Sequence, residues 1–168
     1  RPVNLREATA ADIRVIQALA HATWPVAYAD ILSHAQIVYM LDLMYGTPAL
    51  EAQLGPKGHR FLLAEAEGTA VGFAGYERGY TPGRSRLHKL YVLPANKGQG
   101  IGHALLEAVL VACMKAGDTA VELNVNKRNP AKAFYERHGF VVERDEVLDI
   151  GQGHVMDDHV MVRRSRPW

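Results

Sequence analysis

The stretch that decides the fold is Lys97-Gly98-Gln99-Gly100-Ile101-Gly102, which separates a strand-like pattern from an apolar helical pattern. Glycines let an anion approach the main chain closely, because they carry no Cβ atom. The first amides of a helix have no partner within the helix and carry partial positive charge, so they attract phosphate groups. The segment therefore predicts either a phosphate-binding turn or a plain tight turn.

Two nucleotide-binding motifs with similar glycine spacing do not fit this turn. A Walker A loop ends in Gly-Lys-Ser/Thr, whereas Gly102 is followed here by His103 and Ala104. The dinucleotide-binding fingerprint needs a third small residue three positions after its second glycine, and Leu105 stands there. Both interpretations fail on residue identity, which leaves other phosphate-bearing ligands.

The residues that flank the turn predict alternating strands and helices. A strand covers roughly residues 86–93, and a long helix follows over about residues 100–116. A further strand is predicted over residues 120–125. Asn129-Pro130 is typical of a helix start, so a short helix is expected over residues 131–138.

These motifs resemble those of the GNAT acetyltransferase superfamily. Its acyl-CoA loop is (Arg/Gln)-x-x-Gly-x-(Gly/Ala), which Gly100 and Gly102 match, while Lys97 stands where Arg or Gln is usual. The run 129–140 is similar to the family's Asn…Ala…Phe-Tyr…Gly-Phe signature. Both motifs occur in the expected order and in matching contexts, and together they cover about residues 86–140.

The resemblance implies that acetyl-CoA is the co-substrate and that its diphosphate binds the glycine turn. Backbone groups of the preceding strand would contact the pantetheine arm and the thioester carbonyl. The implied cofactor contacts are Leu90, Tyr91, Val92, Lys97, Gly98, Gln99, Gly100, Ile101, Gly102, His103, Asn129 and Lys132. Lys127 and Arg128 lie in the same basic cluster and are further candidates for contacts with the CoA phosphates.

Tyr135 is the candidate general acid, because it matches the family position for that role. A phenol is protonated at neutral pH and can donate to a departing thiolate. The alternative is a tyrosine that only anchors its helix. No positioned nucleophile is evident, which favours direct attack in a ternary complex. The single cysteine, Cys113, lies among apolar residues at helical spacing and is expected to be a buried hydrophobe.

The sequence leaves several candidates for the general base. In relatives a Glu on the central strand often acts through water, and His88 occupies the corresponding place here. Strict alternation would put His88 on the same strand face as Leu90 and Val92. A histidine with a pKa near ~6.5 suits a base at neutral pH, although a strand histidine is also commonly structural. Glu77 and Tyr80 are alternatives.

In the GNAT fold the first two helices and their connection shape the acceptor pocket, which makes Trp24, Tyr28 and Tyr39 the candidate acceptor-binding residues. The segment around Trp24-Pro25 and the closing Met156-Asp157-Asp158 resemble PaiA-like polyamine acetyltransferases. That resemblance implies a polyamine or another small primary amine as acceptor. Protein N-termini, protein lysines, amino sugars and antibiotics stay open, as does a non-catalytic acyl-CoA-binding or sensing domain.

A metal site was considered for the run His154, Asp157, Asp158 and His159, but alternation divides these side chains between two faces of a strand. No convergent set of three ligands results, so no metal is expected.

The rest of the chain completes the predicted architecture. Thr9 with Asp12 and Ser33 with Gln36 are typical of capping boxes that start two helices, the first interrupted by Pro25. Strands are expected over Val3–Arg6, Phe61–Ala66, Ala70–Arg78, Phe140–Leu148 and His154–Val162, and an apolar stripe over Ile37, Met40, Leu41 and Met44. The order predicts an α/β (α+β) fold: a GNAT-like, mixed, mostly antiparallel twisted sheet flanked by helices, in a single domain over residues 1–168.

Composition adds limits on location and partners. The chain has 168 residues and a net charge of +1, with 19 basic and 18 acidic residues, which does not favour nucleic-acid binding. No stretch approaches the ~20 apolar residues that a membrane span needs. A single cysteine allows no intrachain disulfide, so a reducing cytoplasm is expected. Family analogy implies a homodimer.

Overall fold

The computed structural model describes residues 2–165. The strands are β1 (Val3–Glu7), β2 (Arg60–Ala66), β3 (Thr69–Thr81), β4 (Arg84–Val92), β5 (Ala120–Asn126), β6 (Val141–Gly151) and β7 (His154–Arg164). The α-helices are α1 (Ile13–Ala27), α2 (His34–Tyr45), α3 (Thr47–Leu54), α4 (Ile101–Lys115) and α5 (Ala131–Arg137). Within these residues the strands form one sheet in the order β1-β2-β3-β4-β5-β7-β6.

Strands β4 and β5 are the one parallel pair in the described sheet, and every other neighbouring pair is antiparallel. Their pairing runs from Arg84↔Ala120 to Leu87↔Leu123 and ends there. Beyond these residues the carboxyl-terminal parts of both strands separate, which opens a cleft in the middle of the sheet. The mixed, mostly antiparallel sheet predicted from the sequence is confirmed.

The sheet separates two hydrophobic clusters, because successive strand residues point to opposite faces. Phe73 of β3 packs in the cluster that α1, α2 and α3 cover. The next residue, Ala74, packs in the cluster that α4 covers, together with Leu105 and Val109. The predicted Cys113 environment is confirmed, since this side chain is buried in the α4 cluster.

The helix starts follow the predicted capping residues. Thr9 and Asp12 form a complete capping box that begins a 3₁₀ turn leading into α1. Ser33 caps α2 by accepting a hydrogen bond of 3.1 Å from the amide of Gln36. The side chain of Gln36 donates instead to the carbonyl of Val155 at 2.9 Å, so the second capping box lacks its reciprocal half.

Two predictions about the helices are wrong. Pro25 does not interrupt α1, which continues to Ala27. Proline removes only its own amide hydrogen bond to the residue four positions earlier, and the last turn of α1 tolerates that loss. Helix α3 was not predicted, because its buried residues are only Leu50 and Gln53 and no apolar stripe marks it. Among residues 2–165, each helix is too short or too polar to cross a bilayer.

Candidate active site

The glycine turn leads directly into the amino terminus of α4. Gly98 and Gly100 have φ values of 78° and 79°, a left-handed conformation that favours glycine. Gly100 is the N-cap residue, and the amide of Ala104 donates to its carbonyl at 3.0 Å. Within the described chain, the amides of residues 98–103 donate to no backbone carbonyl. The turn thus offers a row of free donors at a helix start, which suits a diphosphate.

The basic residues around the turn divide into two groups. Lys97 is exposed and Lys132 is half-buried, and neither forms an ion pair with any residue in the range 2–165. Lys127 lies 2.8 Å from Asp157, and Arg128 donates to the carbonyl of Asp30 at 2.6 Å. Lys127 and Arg128 are thus engaged with β7 and with the α1–α2 connection, so Lys97 and Lys132 are the stronger candidates for contacts with the CoA phosphates.

The end of β4 has one open edge. Leu90 pairs with Ala74 and Val92 with Gly72 on the β3 side. On the β5 side the pairing has already ended at Leu87. Backbone groups of residues 88–92 that face β5 therefore lack strand partners, and an extended amide-bearing ligand can pair with them. This geometry suits a pantetheine arm.

Three tyrosines meet near this edge. The hydroxyls of Tyr28 and Tyr91 lie 2.9 Å apart. Tyr135 is 9% exposed, and its hydroxyl makes no hydrogen bond to any residue that the structure describes. Burial, with a smaller contribution from Tyr28, raises the pKa of Tyr135 well above its ordinary value. Its phenol is therefore protonated at neutral pH and free to donate a proton.

The polar atoms of the other two predicted acceptor residues, Trp24 and Tyr39, are hydrogen-bonded to partners other than the Tyr28 and Tyr91 hydroxyls. Trp24 is 1% exposed, its ring lies tilted with its centroid 4.5 Å from that of Tyr28, and its indole nitrogen donates to the Tyr45 hydroxyl at 3.1 Å. Tyr39 donates to the carbonyl of Ile150 at 2.6 Å and so braces the β6–β7 turn. Trp24 packs against Tyr28, whereas Tyr39 connects α2 to the end of β6.

A β-bulge changes the predicted position of His88. Gly75 pairs with Lys89 and Tyr76 with Leu87, so His88 is the extra residue of the bulge. The bulge places His88 beside Gln53 of α3, whereas Leu90 packs in the α4 cluster. The prediction that His88 shares a strand face with Leu90 and Val92 is therefore wrong, because alternation fails at a bulge.

His88, Glu77 and His59 form a hydrogen-bonded group. The Glu77 Oε1 atom lies 2.9 Å from His88 Nε2 and 3.1 Å from His59 Nε2. The two imidazole rings stack with centroids 4.1 Å apart. Burial, with smaller contributions from neighbouring positive groups, lowers the pKa of His88 to about 2 and that of His59 to about 4. The sequence motifs do not include His59, which directly precedes β2 and reaches this group only through the fold.

This group lines a cavity of about 510 Å³, and Tyr80 and Lys89 line it as well. Lys89 is 4% exposed, and its ammonium donates to Gln53 Oε1 at 2.6 Å. The rings of Tyr45 and Phe61 each lie 5.3 Å from Lys89 Nζ. Burial lowers the pKa of Lys89 to about 7. The sequence motifs do not identify Lys89 as a site residue either.

The opposite wall of the cleft carries a buried carboxylate. Asp158 is 4% exposed and accepts from Asn124 at 3.2 Å, while its Oδ1 atom has no partner among the described residues. Burial raises the pKa of Asp158. His159 bonds Asp145 at 2.6 Å and His154 lies against Tyr39, so the four residues considered as metal ligands are dispersed.

The described chain contains two groups with metal-ligand atoms within 4.8 Å of one another: His59, Glu77 and His88, and His103, Glu107 and His138. In the first group, the nearby cations Lys57, Arg86 and Lys89 lower both histidine pKa values. The same positive charge disfavours a divalent cation.

The chain is similar to known acetyltransferases in sequence. The family model described as acetyltransferase (GNAT) domain matches residues 36–156. An L-2,4-diaminobutyric acid acetyltransferase of Nocardia farcinica is 32% identical over 96 residues, 54% of this chain and 50% of that protein. An uncharacterized N-acetyltransferase of Archaeoglobus fulgidus is 34% identical over 80 residues, 44% of this chain and 54% of that protein. The chain spans about half the length of the curated relatives it matches.

The same family appears among solved structures. The PaiA N-acetyltransferase of Thermoplasma acidophilum, solved in complex with coenzyme A, superposes with a TM-score of 0.83 at 24% identity over 98% of this chain and 99% of that one. This likeness confirms the fold. Because the family model covers well over half of the sequence, the chain belongs to the GNAT acetyltransferase family.

Proposed function

We propose that this chain transfers the acetyl group of acetyl-CoA to a primary amine of a small acceptor, by direct attack in a ternary complex. The observation that carries the proposal is the alignment of three features along one cleft: the free amides of residues 98–103, the open edge of β4 and the unbonded hydroxyl of Tyr135. Each suits one part of the reaction.

The residues on the α4 side bind and orient the acyl donor. Amides of the glycine turn hold the diphosphate, with Lys97 and Lys132 adding positive charge, and residues 90–92 pair with the pantetheine arm. Acetyl-CoA supplies an acyl group already activated as a thioester. Asn129 accepts from the amide of Ala131 at 2.9 Å and so fixes the start of the helix that carries Tyr135. Tyr135 then donates its proton to the departing thiolate.

The residues on the other side receive the amine. An attacking amine must be neutral, and it loses one proton as the new C–N bond forms. His88 is neutral above about pH 4, because its pKa is about 2, and can accept that proton. Burial makes His88 a weak base in this position, and Glu77 at 2.9 Å orients its imidazole ring for that proton. We assign His88 as the general base and Glu77 as its positioning residue.

A diamine-type acceptor fits the charge of the cleft. Asp158 offers a buried carboxylate oxygen without a partner in the described structure, and a second, cationic amine would satisfy it. A relative that shares 32% identity is a diaminobutyric acid acetyltransferase, which supports the same class of acceptor. The homodimer and the cytoplasmic location stay predictions.

The acid assignment is tested by Tyr135→Phe, with Tyr76→Phe as a matched control. Both tyrosines are buried, but Tyr76 lies on β3 and packs elsewhere in the α4 cluster. We expect Tyr135→Phe to lower kcat by roughly 10²-fold in an assay of acetyl-CoA-dependent thiol release with a diamine. Calorimetry should give the same Kd for acetyl-CoA in both variants and in the wild type.

Three results would contradict the proposal in different ways. Unchanged kcat in Tyr135→Phe across a broad pH range removes Tyr135 from the chemistry. Tight acetyl-CoA binding with no turnover on a panel of small amines, peptide N-termini and lysine peptides indicates an acyl-CoA-binding domain. Turnover on peptides alone replaces the small acceptor by a protein.

A further inference from the structure

We propose that the cavity beside His88 binds a carboxylate of the acceptor, with Lys89 as its ion-pair partner. The acceptor is then an amino acid whose side chain carries the amine to be acetylated. This inference rests on the proposed acetyltransferase function and narrows its substrate class. It assigns a specificity role to a lysine that the proposed mechanism does not use.

Lys89 is a buried amine that is partly protonated at pH 7, since burial lowers its pKa to about 7, and it has no counter-charge among the described residues. Its side chain is 4% exposed, yet no carboxylate of residues 2–165 lies within 4.0 Å of its ammonium. Its one hydrogen-bond acceptor is the neutral amide of Gln53, at 2.6 Å. A buried charge is costly unless a partner of opposite sign compensates it. A carboxylate in the cavity would supply that partner.

The other charges at the cavity do not fill this role. Glu77 lines the cavity, but its Oε1 atom is bonded to His59 and His88. Lys57 lies on the cavity lining and adds a second positive charge near Lys89. Arg86 is already paired with a carboxylate outside the lining, Glu122, at 2.8 Å. The lining thus carries two ammonium groups, Lys57 and Lys89, against the single carboxylate of Glu77, so its net charge is positive, which attracts an anion.

The cavity lies where an acceptor can reach the reacting atoms. The last β4–β5 pair is Leu87↔Leu123, and His88 and Lys89 are the next two residues of β4. The ammonium of Lys89 lies beside the Tyr45 ring, which contacts Trp24 and so connects to the tyrosines of the cleft. An acceptor with its carboxylate on Lys89 thus extends its amine past His88 toward the opening between the strands.

Two acceptors that differ only in the carboxylate test the inference: 2,4-diaminobutyrate and 1,3-diaminopropane. We expect the wild type to favour 2,4-diaminobutyrate in kcat/KM by at least about tenfold. Lys89→Met keeps the length of the side chain and removes its charge, so the ratio of the two kcat/KM values should fall to about one. Lys115→Met, an exposed lysine on α4, is the matched control and should keep the preference.

A binding measurement separates this inference from the proposed function. 2-Aminobutyrate keeps the carboxylate but has no side-chain amine, so calorimetry reports its binding without turnover. We expect Lys89→Met to weaken this binding at least about tenfold. Lys89→Gln provides a second variant with a polar side chain, in case the Met variant does not fold.

Each pattern of results has one meaning. If the wild type acetylates both diamines and Lys89→Met leaves their ratio unchanged, the carboxylate subsite is overturned and the proposed function stands. If no amine is acetylated but Lys89→Met abolishes binding of 2-aminobutyrate, the subsite stands and the proposed function fails. Equal binding of 2-aminobutyrate to the wild type and the variant also overturns the subsite.

Discussion

At the scale of single residues, Asp12 shows how one carboxylate fixes the start of the first helix. It accepts from the amide of Thr9 at 2.8 Å and from both terminal nitrogens of Arg6, at 2.8 and 3.0 Å. The Arg6 guanidinium, with the Thr9 amide, lowers the pKa of Asp12 to about 2. The charged form is therefore the form that stabilises the fold.

We predict that Asp12→Asn lowers the free energy of unfolding by about 1–2 kcal/mol at pH 7. The pKa of Asp12 falls from an ordinary 3.8 to about 2 on folding, so its contribution is complete above about pH 4 and is lost as the pH falls to about 2. Urea unfolding at pH 7 and pH 2.5 measures the difference. The exposed helix residue Glu51→Gln is the control, and an Asp12→Asn deficit of equal size at both pH values would contradict this role.

The residues of the site differ in how far local sequence predicts them. The glycine turn and Tyr135 follow from motifs of a few consecutive residues. His88 was predicted as a candidate base, but its strand face was not, because a bulge depends on how β4 pairs with β3. Lys89 and His59 were missed, because their burial depends on Gln53 and on strands distant in the sequence.

At the scale of elements, we expect the glycine turn to bind an anion because its backbone is left-handed and because no side chain crowds it. Gly100 has a φ of 79°, and no atom lies within 4 Å of where its Cβ would be. Gly153, in the β6–β7 turn, has a φ of 78° and the same open surroundings. An alanine therefore meets similar backbone strain at both positions, of about 1 kcal/mol.

We predict that Gly100→Ala raises the Kd for CoA at least about tenfold, because strain and a new methyl group disturb the amides that hold the diphosphate. Gly153→Ala should lose similar stability and bind CoA as the wild type does. Calorimetric titration, with urea unfolding of each variant, provides the test. Equal CoA affinities in the two variants would show that the turn does not hold the diphosphate.

Elements with a strong local signal were predicted well. The capping residues at the starts of α1 and α2 and the strands predicted over Phe61–Ala66 and Ala70–Arg78 all appear in the structure. Helix α3 was missed because tertiary contacts, through Leu50 and Gln53, stabilise it more than its own periodicity indicates.

At the scale of the whole molecule, the proposed function depends on the separation of β4 from β5. One parallel pair in an otherwise antiparallel sheet ends at Leu87↔Leu123, and the cleft begins there. The glycine turn, Tyr135 and the open β4 edge lie along this cleft with the α4 cluster behind them, while the cavity with Lys89 lies on the opposite face. The order of elements in the sequence predicted this sheet, but not where the pairing stops, which depends on packing across the whole domain.

The proposed function depends most on whether the amides of residues 98–103 bind the diphosphate of CoA. The direct measurement is a titration of ¹⁵N-labelled protein followed through its amide chemical shifts, first with CoA and then with pantetheine, which lacks the diphosphate. We predict that saturating CoA shifts the amides of residues 98–103 and that pantetheine leaves them in place. Unmoved amides in this turn at saturating CoA would contradict the account.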